Sequence, residues 1–184
     1  MQIIENIKDY FGKKRVAKLL NLSKNRTKKF YNLNEAKSVG LLMVVENESE
    51  YKQLQQFIKE LKGDIGVRKV KALVYYPKED EPFYLQSKLS FDFFTPKDLN
   101  WKREPQKDVC QTFVEEQFDV LIDLSSSYCI PLRQLLAQSK SLFKVGRYTP
   151  ENEPFYDFMI SSEQDSFQTF TKEVVKYLTT INAK

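Results

Sequence analysis

Histidine is absent from the 184 residues, and glycine, cysteine and tryptophan are scarce at five, two and one. Without histidine there is no Ser-His-Asp or Cys-His nucleophile, no His-ligated zinc or iron and no imidazole acid–base chemistry. The glycines stand at 12, 40, 63, 66 and 146. None of these builds a phosphate-cradling loop, so the P-loop and the dinucleotide fingerprint are both missing. Cys110 and Cys129 are too few for a disulfide framework and have no soft ligand beside them, so no metal is implied. No run approaches the roughly 18 apolar residues that a bilayer span needs. The first ten residues lack an uninterrupted apolar core and a small-residue cleavage site. A cytoplasmic protein without a signal peptide is the expectation.

What is present is a core-forming composition with an uneven charge. Apolar residues make up 41% and aromatics 14%, enough for one packed domain. The net charge of +4 hides an asymmetry. Residues 1–37 carry ten Lys/Arg against three acids, and the rest carries 19 against 22. The chain therefore divides into a basic arm, 1–37, and a domain, 38–184, and the arm's charge points to an anionic partner.

Hydrophobic periodicity supplies the elements. Ile3, Ile4, Ile7, Tyr10, Phe11, Val16, Leu19 and Leu20 recur at helical steps, with Gly12 placed to kink or divide that helix. Residues 21–37 are polar and weakly patterned, a short helix or a linker. The run 39–45 is apolar on both faces, as in a covered parallel strand. Asn47 and Glu50 have capping-box spacing, Tyr51, Leu54, Ile58 and Leu61 form a stripe, and Gly63 closes the helix. A strand over 68–76 completes a βαβ unit. Residues 83–85 and 91–94 read as short strands with no helix between them. Val109, Cys110, Phe113 and Val114 mark a helix leading into the strand 118–124. Ser125, Ser126 and Ser127 form a polar turn, Pro131 opens a helix, and a strand 142–145 stops at Gly146. The segment 147–155 is too short for a crossover helix, so the strand 156–160 is expected to be antiparallel to its predecessor or not adjacent to it. Ser162 and Asp165 are placed to start the last helix, whose stripe is Phe167, Phe170, Val174, Tyr177, Leu178 and Ile181. The fold class is α/β, a three-layer Rossmann-like domain with a mostly parallel sheet behind a basic helical arm.

In such sheets ligands lie beyond the carboxyl ends of the strands. Those ends carry Glu46, Asn47, Tyr75, Tyr76, Asp123, Ser125, Ser126, Ser127, Arg147, Tyr148, Ser161 and Ser162. Hydroxyls, an arginine and helix N-termini suit a phosphate or a sugar; capping and turn amides account for the same residue types. The ligand residues selected are Glu46, Asn47, Asp123, Ser125, Ser126 and Arg147, with no catalytic residue and no cofactor assigned. Asp119 and Asp123 share a strand face but sit at its opposite ends, so they do not form a carboxylate pair.

Other patterns carry less. Ser141-x-x-Lys144 and Ser49-x-x-Lys52 both match a serine–lysine nucleophile, without the companion motifs. Cys129 beside a helix start is either an activated thiol or buried packing. The loop with Phe93, Phe94, Trp101, Lys102 and Arg103 mixes aromatics with bases, as single-strand binders do. Three partners suit the arm: nucleic acid through phosphates, an anionic membrane surface with Ile3, Ile4, Ile7 and Phe11 dipping in, or its own domain or a second copy as a homo-oligomer.

Four motifs carry a resemblance: Phe-Asp-x-Leu-Ile-Asp-Leu-Ser (118–125), Pro-Leu-x-x-Leu-x-Ala-x-Ser-Lys (131–140), Phe-Lys-Val-Gly (143–146) and Tyr-Asp-Phe-Met-Ile (156–160). The chain from about residue 39 onward resembles a family of small Bacteroidota α/β proteins with no established activity, so no catalytic residue is implied. Residues 118–146 alone are similar to the N-terminal half of heptosyltransferase-like GT-B glycosyltransferases. The second, nucleotide-binding half and the Gly-Asp turn after the first strand are missing, and Glu46, Asn47 and Glu48 stand at that turn. The expected function is thus a non-catalytic binding or interaction protein with a strand-end site. The alternative is an enzyme or degenerate transferase acting on a nucleotide, phosphate or sugar, with Asp123 as its acid–base group.

Overall fold

A computed structural model describes residues 2–162 and 166–181. The α-helices and strands are α1 Gln2–Leu22, β1 Ser38–Val44, α2 Glu48–Gly63, β2 Lys69–Tyr75, β3 Phe91–Phe94, α3 Asp108–Glu115, β4 Val120–Asp123, α4 Ile130–Gln138, β5 Phe143–Arg147, β6 Phe158–Ile160 and α5 Phe167–Thr180. Among the described residues the six strands form one sheet in the order β3-β2-β1-β4-β5-β6, every pair parallel. That is the doubly wound order, whose direction reverses between β1 and β4.

The period-2 alternation of the strands sorts the core into two layers. Val39, Leu41, Met43, Val120, Ile122 and Val145 face one side and pack with Leu54, Phe57 and Leu61 of α2 and Phe170, Val174 and Leu178 of α5. Leu42, Leu73, Phe94 and Leu121 face the other and pack with Phe113 of α3 and Leu132, Leu135 and Leu136 of α4. Helix α4 is buried all round except for Gln138, because the sheet covers one flank and α1 the other. A short helix buried on nearly every side needs two such covers.

Gly12 makes the second cover possible. Helix α1 runs through it unbroken, contrary to the expected kink. A Cβ at this position would stand 2.8 Å from Ile130 Cγ2 and 3.2 Å from the carbonyl oxygen of Lys102. The missing side chain therefore serves close helix packing. Residues 23–37 are not helical. They wrap the lower edge of the sheet, with Lys29 N donating to Leu142 O (3.1 Å), Leu33 N to Leu178 O (2.9 Å) and Asn32 Nδ2 to Thr179 O (2.8 Å).

Three further expectations are corrected. Strand β6 is adjacent and parallel to β5, with Val145 opposite Phe158 and Arg147 opposite Ile160. The connection 148–157 needs no α-helix because a 3₁₀ turn at Pro150–Asn152, followed by Phe155 and Tyr156 packed on the α4 side, bridges the two strands. Residues 83–85 form no strand, with a turn at 83–84, leaving β3 as the only strand of that region among the described residues. Helix α5 is capped by Ser166, whose hydroxyl accepts from Thr169 N, and not by Ser162; Asp165 lies outside the described residues.

Gly146 is a second close approach. The Tyr156 ring lies flat against it and fills the space that a Cβ would need. Gly63, at the end of α2, has no heavy atom within 4 Å of the place a Cβ would take. Gly146→Ala should therefore destabilise the protein by about 1–3 kcal/mol, while Gly63→Ala should be neutral or slightly stabilising. Urea unfolding midpoints of the two variants check this contrast.

Candidate functional site

The C-terminal ends of β1, β4 and β5 open into a crevice of about 440 Å³. Asn47 caps α2 by accepting from Glu50 N (3.1 Å), and the Glu50 carboxylate folds back to accept from Glu46 N (2.7 Å). That carboxylate sets a negative charge beside the amide end of α2, which disfavours a phosphate there. On the opposite wall the chain leaves β4 through Ser125, Ser126 and Ser127. Arg147, the last residue of β5, stacks its guanidinium 4.0 Å over the Phe170 ring of α5. An adjoining hollow of about 250 Å³ shares the three serines and Arg147 and adds Arg133, Asn152 and Ser161. A larger hollow of about 610 Å³ lies at the other end of the sheet, between the end of α1, α3 and α4. It lacks the convergence of strand ends that marks the first.

The structure thus brings Glu46, Asn47, Ser125, Ser126 and Arg147 onto one wall system. Asp123 stands behind that wall. Its side chain points to the α4 face, as alternation with Leu121 dictates, and only 2% of it is exposed. Asp123 Oδ1 accepts from Ser125 N (2.9 Å), Oδ2 accepts from Tyr156 Oη (2.8 Å), and Arg133 Nη1 lies 3.5 Å from Oδ2. Arg133 also donates to Tyr156 Oη. The guanidinium sits 4.9–5.4 Å from the ring centres of Phe155, Tyr128 and Tyr156. Burial, and then the Asp123 charge, push the Tyr156 hydroxyl far above its ordinary pKa, so it stays a donor to the carboxylate. Ser125 is held by its amide, and its buried Oγ has no hydrogen-bond partner among the described residues.

Arg133 and Tyr156 are the residues that sequence reasoning missed. An arginine inside the apolar run 130–137 was the available signal, since a buried charge requires a buried partner. Tyr156 gave no signal, because its reach depends on the space left by Gly146.

The weaker patterns resolve into structural roles. Lys144 Nζ donates to Leu136 O (2.5 Å), and Ser141 Oγ pairs with Ser139 Oγ (2.7 Å). Burial raises both thiols, Cys110 and Cys129, to about 12, far from activation. Asp119 accepts from the amides of Lys37 (2.7 Å) and Ser38 (3.0 Å) and fixes the start of β1. Asp157 gathers Arg26, Lys28 and the Lys144 amide. Among the described residues no cluster of three or more acids and cysteines is placed to hold a metal ion, and no helix is long and apolar enough to cross a membrane.

The model of a family of unknown function (DUF6913) matches residues 8–181. No curated protein and no solved structure matches the chain.

Two expectations follow from the buried charges. Arg133→Met leaves the Asp123 carboxylate buried without its cation and should cost about 3–5 kcal/mol by urea unfolding. Burial, with Arg26 nearby, lowers Lys144 from 10.5 to about 7. Between those values the unfolded chain binds a proton that the folded chain does not, so this group adds stability as pH rises above about 7. Lys144→Met removes that contribution. The variant's stability relative to the native protein should fall as pH is raised from about 7 to about 9, by at most about 1.4 kcal/mol per pH unit.

Proposed function

We propose that this chain, which belongs to the family of unknown function DUF6913, is a binding protein whose ligand is a small hydroxyl-bearing anion of the sugar-phosphate or nucleotide class. The observation that carries the reading is the buried hydroxyl of Ser125, which has no partner among the described residues, at the point where the strand order reverses. A buried hydroxyl without a partner costs roughly 1–3 kcal/mol, a cost that a ligand oxygen would remove.

Charge divides the crevice into two ends. Glu46 and Glu50 make the β1 end negative, which disfavours phosphate there and suits sugar hydroxyls. The serine turn and Arg147 at the β4–β5 end suit one anionic group. Among the side chains lining the crevice, those two acids face a single arginine, so a polyanion fits poorly. The likeness of residues 118–146 to the N-terminal half of heptosyltransferase-like glycosyltransferases is in keeping with a sugar-bearing ligand.

Binding without catalysis is the better reading, because the acid–base group that the enzyme alternative requires is engaged elsewhere. Both oxygens of Asp123 accept hydrogen bonds, and Arg133 stands beside them. On this reading Asp123 positions the serine turn and does not touch the ligand.

A thermal-shift panel of sugar phosphates, nucleotides and nucleotide sugars tests the proposal. A ligand at 100 times its dissociation constant should stabilise the protein by about 2.7 kcal/mol. Ser125→Ala should leave the unliganded melting temperature level or raised while cutting the ligand shift, and Arg147→Met should abolish it. A panel that shifts nothing, or a full shift in both variants, rules the site out.

A further inference from the structure

Over its first three turns, helix α1 faces the opposite way from its hydrophobic pattern. Ile3, Ile4, Ile7, Tyr10 and Phe11 are all exposed, Ile3 by 75%. The acids Glu5 and Asp9 face the domain instead, where Arg103 pairs with both. Gly12, Val16 and Leu19 continue that inward side. Apart from Phe11, which touches Trp101, the apolar stripe therefore does not pack on its own domain, although its residues are the most obvious core candidates of the arm.

The patch extends beyond the helix. Trp101 is 54% exposed and meets the Phe11 ring edge-on at 5.1 Å. Its surroundings are basic. Lys14 Nζ lies 4.6 Å over the Tyr10 ring, and Lys102 Nζ lies 5.0 Å from the Trp101 ring. Lys13 and Lys18 are exposed on the same helix. The nearby acids are spent: Glu5 on Lys8 and Arg103, and Asp9 on Arg103.

We propose that this face seats the protein on the surface of an anionic bilayer. The isoleucines, Phe11 and Trp101 would enter the boundary between headgroups and acyl chains, and Lys14, Lys18 and Lys102 would meet lipid phosphates. Charge selects this occupant. A second copy would bring the same lysines against the same lysines, with the patch's own acids already paired. Nucleic acid would answer the lysines but leave the isoleucines uncovered. An apolar stripe bordered by lysines, with aromatic rings between the two, is the pattern that lies in a membrane interface. The helix is too polar to span, so the attachment is peripheral.

Trp101 is the only tryptophan in the chain, so its fluorescence reports on this face alone. The test uses the full chain with vesicles of phosphatidylcholine, with and without phosphatidylglycerol. The expected result is a blue shift of Trp101 emission and co-flotation with the anionic vesicles only, both weakened by salt. Replacing both Ile3→Asp and Ile7→Asp should lower partitioning about tenfold or more, and Lys14→Glu with Lys18→Glu should act in the same direction. All four positions are exposed, so thermal melts should match the native protein, and the lysine pair gives a second route if the isoleucine pair misfolds. Absence of binding to anionic vesicles, or equal binding to neutral ones, overturns the proposal. So does a dimer in light scattering that the isoleucine pair dissociates. Salt-sensitive binding to RNA, with vesicles left unbound, overturns it as well.

Discussion

The hydrogen-bonded cluster of Asp123, Tyr156 and Arg133 holds the upper rim of this sheet together. It joins the end of β4, the connection into β6 and the first turn of α4. Three buried groups of this kind are costly to desolvate and stable only when each has its partners. Here they do. The carboxylate receives an amide, a hydroxyl and a guanidinium, and aromatic rings surround the cation. Gly146 makes room for the tyrosine, and so a single missing methyl on β5 decides whether the network closes. The serine turn that walls the crevice is tied by its amide to the same carboxylate.

The opposite flank depends on a similar economy of space. Helix α4 carries the arginine and is buried at every residue but Gln138, which requires α1 as a lid. That lid approaches closely at Gly12 and is gripped by Arg103 through Glu5 and Asp9. Using the acids as the inward grip leaves the isoleucines outside. One helix thus completes the core with its second half and displays an apolar, basic-edged surface with its first.

Much of the architecture was legible in the sequence, and the reasons are physical. Strands buried on both faces write continuous apolar runs, so 39–45 and 118–124 were found within a residue or two of β1 and β4. Asn47 with Glu50 marked the start of α2 because capping needs those side chains at that spacing. The strand-end rule then gathered Glu46, Asn47, Ser125, Ser126 and Arg147 without any knowledge of their geometry. What escaped was whatever depends on contact between distant parts of the chain. The parallel placement of β6 was missed because a crossover without a helix leaves no periodic trace. The retreat of Asp123 behind the wall depends on Tyr156, thirty-three positions away. The direction of the arm's apolar face was hidden because periodicity shows that a stripe exists and not where it points.

The most direct measurement is an amide chemical-shift titration of the full chain with a sugar phosphate. A ligand seated where β1, β4 and β5 end should move the amides of Glu46, Asn47, Ser125, Ser126 and Arg147 saturably and leave the far end of the sheet unchanged. Shifts confined to the hollow between the end of α1 and α3, or none at any concentration, would contradict a strand-end site.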